Sequence, residues 1–257
     1  MIRTWRKYAG LVKRWACLLG MFLPLLVACD QIRRSRDISE VAATPQDALW
    51  AFRCENAGAL NRIMSRELSI GRLLMLGDST QVCAMERLNA WIRKLPALAE
   101  IARNPFWVSA HSIGKNQAIL VSLPQVTHEQ LLWQQLRENG FSFVNTQTPD
   151  GELIQVNSPQ GDQMFAIRQA KRLLVSESRI LLESAVHQIK AGFSLASSHD
   201  FVYAHEQAGM NRDVCLFVNT EGLAGTAQTI YLPSAVAWVQ KIKNLGKWIV
   251  LDVNKQD

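Results

Sequence analysis

Three pairs of short apolar segments, each joined by a tight turn, constrain the fold of this chain most. His111–Pro124, 140–158 and 163–178 each predict two adjacent strands, because apolar and β-branched residues flank a short polar turn. Gly114-Lys115-Asn116 and Pro149-Asp150-Gly151 have the composition of hairpin turns. Helical segments separate these hairpins. The sequence therefore predicts the α+β class, with antiparallel or mixed sheets and helices on one face.

The chain also contains a weak internal repeat. Asp47–Glu55 and Asp213–Glu221 each place an apolar strand between an Asp and a Glu that are eight residues apart. In both copies two helical segments follow, and then a strand with an aromatic residue, "PFWVSAHSI" from Pro105 and "GKWIVLDV" from Gly246. We therefore predict two copies of a strand–helix–helix–strand unit.

The second copy lacks one element of the first. Ala118–Leu123 is predicted to pair with the strand that begins at Pro105, but "WIVLDV" is followed by only four residues. We expect either that the chain is truncated at its C terminus relative to its relatives or that another chain completes the sheet. An edge left open in this way favours association.

The first 28 residues have the organisation of an export signal. Five basic residues and no acid precede the uncharged run Trp15–Ala28, which is shorter than the about 20 apolar residues that a bilayer-spanning helix needs. The run ends in Leu26-Val27-Ala28-Cys29, which resembles the lipobox of bacterial lipoproteins. The resemblance implies cleavage between Ala28 and Cys29, acylation of the Cys29 thiol, and attachment to membrane lipid through that acylated cysteine.

The charge balance changes once this leader is set aside. The whole sequence carries 28 Lys and Arg against 22 Asp and Glu, and the leader holds five of those basic residues and none of the acids. The remainder is close to neutral, so the basic balance does not predict a nucleic-acid partner. We predict a flexible tether over residues 29–44 and an α+β domain over 45–257, alternatively divided into sub-domains of about 45–160 and 161–257.

The remaining cysteines do not indicate a metal or redox site. Cys54, Cys83 and Cys215 are odd in number and form no C-x-x-C pair, so at least one thiol stays outside any intramolecular disulfide. Buried, unreactive thiols are the expected state. The sequence predicts no cofactor and no metal ligands.

Ser79 is the sharpest candidate for a nucleophile. "RLLMLGDSTQ" resembles the first block of GDS-type serine esterases, which implies Ser79 as the nucleophile. None of the five histidines has an Asp three residues before it, as the base of that family requires. A helix N-cap formed by Asp78 and Ser79 is the structural alternative. A glycan or ligand binder that uses exposed tryptophans is a third interpretation.

The order of the segments resembles a wider group of proteins. After the lipobox and the tether come "RLLVSESRILLESAVHQIKAG" and "DVCLFVNTEGL", which are similar to segments of uncharacterised bacterial envelope lipoproteins with a domain of unknown function. The resemblance implies no known activity, no cofactor and no catalytic residue. Together with the lipobox, it favours a non-catalytic, lipid-anchored protein of the cell envelope. We expect it on the inner or outer membrane, as a scaffold or binding module for envelope proteins.

Overall fold

The computed structural model describes residues 38–64, 93–124, 129–169, 171–208, 214–230 and 246–253, with the single positions 86, 90, 241 and 244. Contacts group the described residues from Glu40 onwards into one unit. The described α-helices are α1 (Ala57–Met64), α2 (Pro96–Ile101), α3 (Glu129–Glu138), α4 (Arg179–Lys190), α5 (His199–Gln207) and α6 (Thr220–Ile230), and there are 3-10 helices at Val41–Ala43 and Leu195–Ser197. The described strands are β1 (Trp50–Cys54), β2 (Phe106–Ile113), β3 (Asn116–Pro124), β4 (Ser142–Thr148), β5 (Gly151–Asn157), β6 (Gln163–Gln169), β7 (Arg172–Ser176), β8 (Val214–Asn219) and β9 (Trp248–Val253).

These strands form one sheet in the order β4-β5-β6-β7-β3-β2-β1-β8-β9. Every neighbouring pair is antiparallel. The predicted α+β class is therefore confirmed. The alternative boundary near residue 160 falls between β5 and β6, which pair with each other, so strands from both proposed sub-domains share this sheet.

The three predicted hairpins are present, and their turns explain their positions. Between β2 and β3, Gly114 has φ +62°, and Gly151 at the start of β5 has φ +133°. Glycine adopts such left-handed conformations without the steric penalty of a Cβ atom. The apolar segments on either side are thereby brought into register as antiparallel pairs.

Both faces of the sheet are buried. Face A carries Trp50 and Phe52 of β1 and packs against α1, α2, α3 and α6. Face B carries Ala51 of β1 with Trp107 of β2 and packs against α4 and α5. Helices thus cover both faces, which corrects the expectation of one covered face. The reason is that the central strands are apolar on both sides, and each side requires its own covering layer.

Side-chain caps fix where several helices begin. The Asn56 side chain accepts a hydrogen bond from the N–H of Ala59, and the Asn219 side chain accepts one from the N–H of Gly222. Asn56 starts α1 after β1 and Asn219 starts α6 after β8, so both predicted copies use an asparagine cap between strand and helix.

Candidate functional site

The outer edge of β9 is the candidate functional site. Among the strands that the structure describes, β9 lies at the end of the sheet and pairs with β8 alone. Its residues are apolar except for Asp252. Leu251 is 42% exposed, while Trp248, Ile249 and Val250 are half-buried. A long apolar edge of this kind is a template for pairing with another strand.

The hydrogen-bond pattern reveals which backbone groups of β9 point outwards. The N–H of Thr220 donates to the carbonyl of Lys247 at 2.9 Å, so these two residues form a hydrogen-bonded pair at the end of the β8–β9 ladder. Bonded and non-bonded pairs alternate along an antiparallel ladder. Ile249 therefore directs its N–H and C=O towards β8. Trp248 and Val250 direct theirs towards the outer edge, where an added strand would bind.

The four strands at this end of the sheet are related by a pseudo-two-fold axis. β1 and β8 are antiparallel neighbours, with Ala51 opposite Phe217, and β2 and β9 flank them. Half a turn about this central pair places Asp47–Glu55 on Asp213–Glu221, as the repeat predicts. The same rotation places Trp107 of β2 on Trp248 of β9. The register of the four strands therefore superimposes the two tryptophans that the repeat already pairs in sequence, which agrees with the predicted duplication.

The two copies differ in what covers their outer strand. The outward side of β2 is paired with β3, with Trp107 opposite Ser122 and Ser109 opposite Leu120. The equivalent side of β9 pairs with none of the described strands. The edge of β9 therefore has the geometry that, in the first copy, receives an antiparallel strand.

An aromatic cluster on face B holds β9 from its inner side. The ring of Phe201 on α5 lies edge-on to Trp248 at 5.1 Å and to its pseudo-equivalent Trp107 at 6.1 Å. The Lys247 ammonium bonds Asp200 of α5 at 2.9 Å, and this hydrogen bond raises the pKa of Lys247. α5 thus ties the start of β9 to the neighbouring strands, and the outer edge is presented from a fixed position.

A Ser–His–Asp hydrogen-bond chain lies on face B of β2. The Oγ of Ser109 is 2.8 Å from Nε2 of His111, and Nδ1 of His111 is 2.7 Å from Oδ1 of Asp47. Gln188 of α4 donates to the second oxygen of Asp47 at 3.0 Å. Burial raises the pKa of Asp47, but the hydrogen bond and charge of His111, with the bond from Gln188, outweigh it and leave this pKa below its usual value.

These distances are those of a catalytic triad, but the surroundings of the three residues favour a structural role. Ser109 is 1% exposed and His111 is 0% exposed. Both residues lie inside β2, whose backbone is paired with β1 on one side and β3 on the other, so the ladder occupies the amides that an oxyanion would need. These hydrogen bonds satisfy buried polar groups, and they join β2 to the segment before β1 and to α4.

Sequence reasoning did not identify this constellation. Ser109 and His111 are two positions apart on a predicted strand, which places them on one face. Asp47 is 64 positions away from His111, and no local pattern connects the two. The only usable signal was a serine and a histidine alternating within an apolar strand.

An apolar cavity lies on face A between the sheet and helices α2 and α3. It encloses about 530 Å³ of empty space, part of it open to solvent, and its lining includes Leu98, Val121, Leu132 and Trp133. Ligand sites combine an apolar lining with a few placed polar groups that orient the ligand. This lining is apolar throughout, so it supplies no group of that kind.

A buried arginine is satisfied by neutral oxygens at one end of face B. Arg172 donates to the hydroxyl and carbonyl of Ser122 at 2.7 and 2.9 Å and to the carbonyl of Pro105 at 3.4 Å. Burial lowers the pKa of Arg172 to about 10, which the charge of Glu40 partly opposes. These bonds join β7 to β3 and to the residue before β2, and this is a structural role.

The residues predicted to carry function lie outside the described ranges. These are Ala28 and Cys29 of the lipobox, together with Ser79 of the esterase alternative. The tryptophans of the glycan-binding alternative are partly described, and both Trp50 and Trp107 are fully buried. Neither of these two presents a platform for a sugar.

Two of the three domain cysteines are described. Cys54 and Cys215 are buried, as expected, and neither is in a disulfide, while Cys83 lies outside the described residues. Burial raises the pKa of Cys54 to about 12, so its thiolate is scarce at neutral pH. The thiol of Cys215 donates to the carboxylate of Asp252 at 3.2 Å across the β8–β9 pair.

Comparisons with known proteins identify no similar protein. No family model matches the chain, and neither a curated protein nor a solved structure matches it. Within the described ranges, no helix has the length and hydropathy to cross a membrane. Among the residues that the structure describes, no three His, Cys, Asp or Glu side chains lie close enough together to bind a metal ion.

Proposed function

We propose that this chain is a non-catalytic, lipid-anchored protein of the bacterial cell envelope, which acts as a scaffold or binding module. The observation that carries the binding role is the apolar outer edge of β9, which none of the described strands covers. Trp248 and Val250 direct backbone groups outwards there, and Leu251 presents an exposed apolar side chain. An extended segment that adds to such an edge gains main-chain hydrogen bonds and contacts to alternate side chains.

The anchor rests on the lipobox and is tested separately. We expect palmitate to label the exported protein, and we expect the label to disappear in Cys29→Ser, because only the thiol of Cys29 accepts the lipid. Cys17→Ser is the matched control and should label like the wild type. An exported product that retains its leader, or whose Cys29 thiol is unmodified, would rule out the anchor.

The binding role is tested by photo-crosslinking in cells from a single position on β9. A photoreactive residue at Leu251, which is 42% exposed, should form one discrete adduct whose partner is identified by mass spectrometry. The same residue at Val144 of β4, which is 51% exposed at the other edge of the sheet, is the matched control and should form none. Equal adducts at both positions, or no adduct at Leu251, would contradict binding at β9.

A serine hydrolase is the second candidate, because Ser109, His111 and Asp47 have triad distances. The burial of Ser109 opposes it, and we expect no labelling of the folded protein by a fluorophosphonate probe. Labelling that is lost in Ser109→Ala would establish this activity instead. Labelling that is lost in Ser79→Ala would establish the GDS-type alternative.

A further inference from the structure

We propose that the strand received by β9 is β9 of a second copy of this chain, paired antiparallel about a two-fold axis at Val250. This inference rests on the proposed binding role of β9 and names its partner. Its consequence is a dimer in which two nine-stranded sheets continue into one another.

The backbone geometry suits this pairing. Val250 lies near the middle of β9 and directs both its N–H and its C=O to the outer edge. With the axis at Val250, the two Val250 residues face one another as a hydrogen-bonded pair and exchange two hydrogen bonds. Trp248, which also points outwards, extends the ladder on either side.

The side chains match in the same register. Opposite residues of an antiparallel pair lie on one face, so Ile249 meets the partner's Leu251 on face A. This contact covers Leu251, which is 42% exposed in the single chain. On face B the two Val250 side chains meet on the axis. Both faces of the joined sheet are then continuous.

The charge of Asp252 distinguishes this register from its neighbours. With the axis at Val250, Asp252 lies opposite the partner's Trp248, and the two Asp252 carboxylates are about 13 Å apart along the strands. Moving the axis to Leu251 would bring them to about 7 Å along the strands, which like charges disfavour. Moving the axis to Ile249 would shorten the overlap within Trp248–Val253.

A second copy is favoured over a foreign strand for two reasons. A closed two-fold contact uses one self-complementary surface, and such dimers are the commonest oligomers. Anchoring through Cys29 would also hold copies on the same membrane surface, which raises their local concentration.

The register is tested by a disulfide on the axis. In the proposed dimer the Cα atoms of the two Val250 residues are about 5.5 Å apart, within the range that a disulfide bridges. We expect oxidation of the purified full chain carrying Val250→Cys to give a covalent dimer of most of the protein. The wild type and Val144→Cys on β4 are the matched controls and should stay below a tenth of that yield. Cross-linking of Val250→Cys no greater than that of the controls overturns the proposal.

The hydrogen bonds are tested by Val250→Pro. Its N–H points away from β8, so proline removes an intermolecular donor and leaves the β8–β9 ladder intact. We expect the wild type to be a dimer by light scattering at micromolar concentration and Val250→Pro to dissociate at least tenfold more readily, with an unchanged circular dichroism spectrum. Asn145→Pro on β4 is the control, because the N–H of Asn145 points away from β5 just as that of Val250 points away from β8, and it should dimerise like the wild type. A monomeric wild type, or an unaffected dimer in Val250→Pro, overturns the proposal.

The outcomes separate this inference from the proposed function. An adduct between Leu251 and another envelope protein, with no Val250→Cys dimer, would retain the binding role and overturn self-association. A Val250→Cys dimer in a protein without lipid on Cys29 would retain the dimer and overturn the anchor.

Discussion

The two edge strands of the sheet, β4 and β9, differ in the polarity of their side chains. β4 reads "SFVNTQT", and its Asn145, Thr146 and Gln147 are exposed. β9 reads "WIVLDV", and apart from Asp252 it is apolar. Polar side chains along an edge suppress pairing with other chains, whereas an apolar edge invites it. The sheet is therefore protected at one end and suited to association at the other.

Each edge strand is nevertheless held in place by an aromatic contact from a helix. Phe143 of β4 lies edge-on to Trp133 of α3 at 5.5 Å, and Trp248 of β9 lies edge-on to Phe201 of α5 at 5.1 Å. The two edges differ in what they present outwards rather than in how they are anchored inwards. This difference is why we place the functional contact at β9.

The largest expected effect compares an interior strand with the open edge. Trp107→Ala removes a fully buried ring from β2 and should lower the free energy of unfolding by about 3–5 kcal/mol. Trp248→Ala at the pseudo-equivalent, half-buried position should cost about 1–2 kcal/mol in the dilute monomer, because less apolar surface is lost. Denaturant titration measures both. Equal losses would mean that β9 is covered as fully as β2.

The next effect tests which backbone groups of β9 face inwards. Ile249→Pro removes an N–H that points to β8 and should cost about 3 kcal/mol. Val250→Pro, one residue further on, should cost clearly less in the same chemical denaturation experiment. A larger loss for Val250→Pro than for Ile249→Pro would mean that Val250, and not Ile249, directs its N–H towards β8.

A smaller effect concerns the polar chain on β2, which has no counterpart on β9 because Val250 and Asp252 occupy the equivalent positions. Asp47→Asn should lower the free energy of unfolding by about 1 kcal/mol at pH 7, because His111 loses a charged hydrogen-bond partner. The loss is no larger because the Asp47 side chain is half-exposed and solvent screens its charge. The folded-state pKa of Asp47 lies below its ordinary value of 3.8. Its stabilising contribution is therefore complete above that value and is lost as the pH falls through the folded-state pKa.

The pH dependence of unfolding checks this assignment. Urea titrations between pH 7 and pH 3 should give a flatter acid limb for Asp47→Asn than for the wild type. Glu138→Gln, an exposed acid on α3, is the control and should follow the wild type. Parallel curves for Asp47→Asn and the wild type would contradict a folded-state pKa below the ordinary value.

The smallest expected effect on stability comes from the variants that best distinguish the two edges in self-association. Val144→Lys on β4 and Leu251→Lys on β9 each add a charge at an exposed site and should change the free energy of unfolding by less than about 0.5 kcal/mol. Only Leu251→Lys should weaken self-association, because that side chain faces the partner. Sedimentation velocity distinguishes the two variants, and equal weakening by both would place the contact elsewhere.

Much of the local structure follows from the sequence. Turns such as Gly114-Lys115-Asn116 and the alternation of the strands predict elements within a few residues of those observed. These signals are short-range, because turn conformation, strand alternation and helix caps depend on neighbours within a few positions. The repeat was also visible, since it is a likeness between two segments of sequence.

The candidate site was predictable only in part. The repeat equates "WIVLDV" with the strand that begins at Pro105, and among the described strands it pairs with β8 alone. Which of its backbone groups face outwards depends on the ladder with β8, as the bond from Thr220 to Lys247 shows. Cys29 and Ser79 remain predictions, because they lie outside the described residues.

The sequence by itself determined the turns, the alternation of the strands and the repeat. Only the tertiary structure decided that β1 lies between β2 and β8, that helices cover both faces, and that Asp47 meets His111. Asn219 bonds the carbonyl of Ala48 across 171 positions, and contacts of this kind depend on the whole set of strands packing together. Local patterns carry no record of such distant partners, because their energy arises only when the remote surfaces meet.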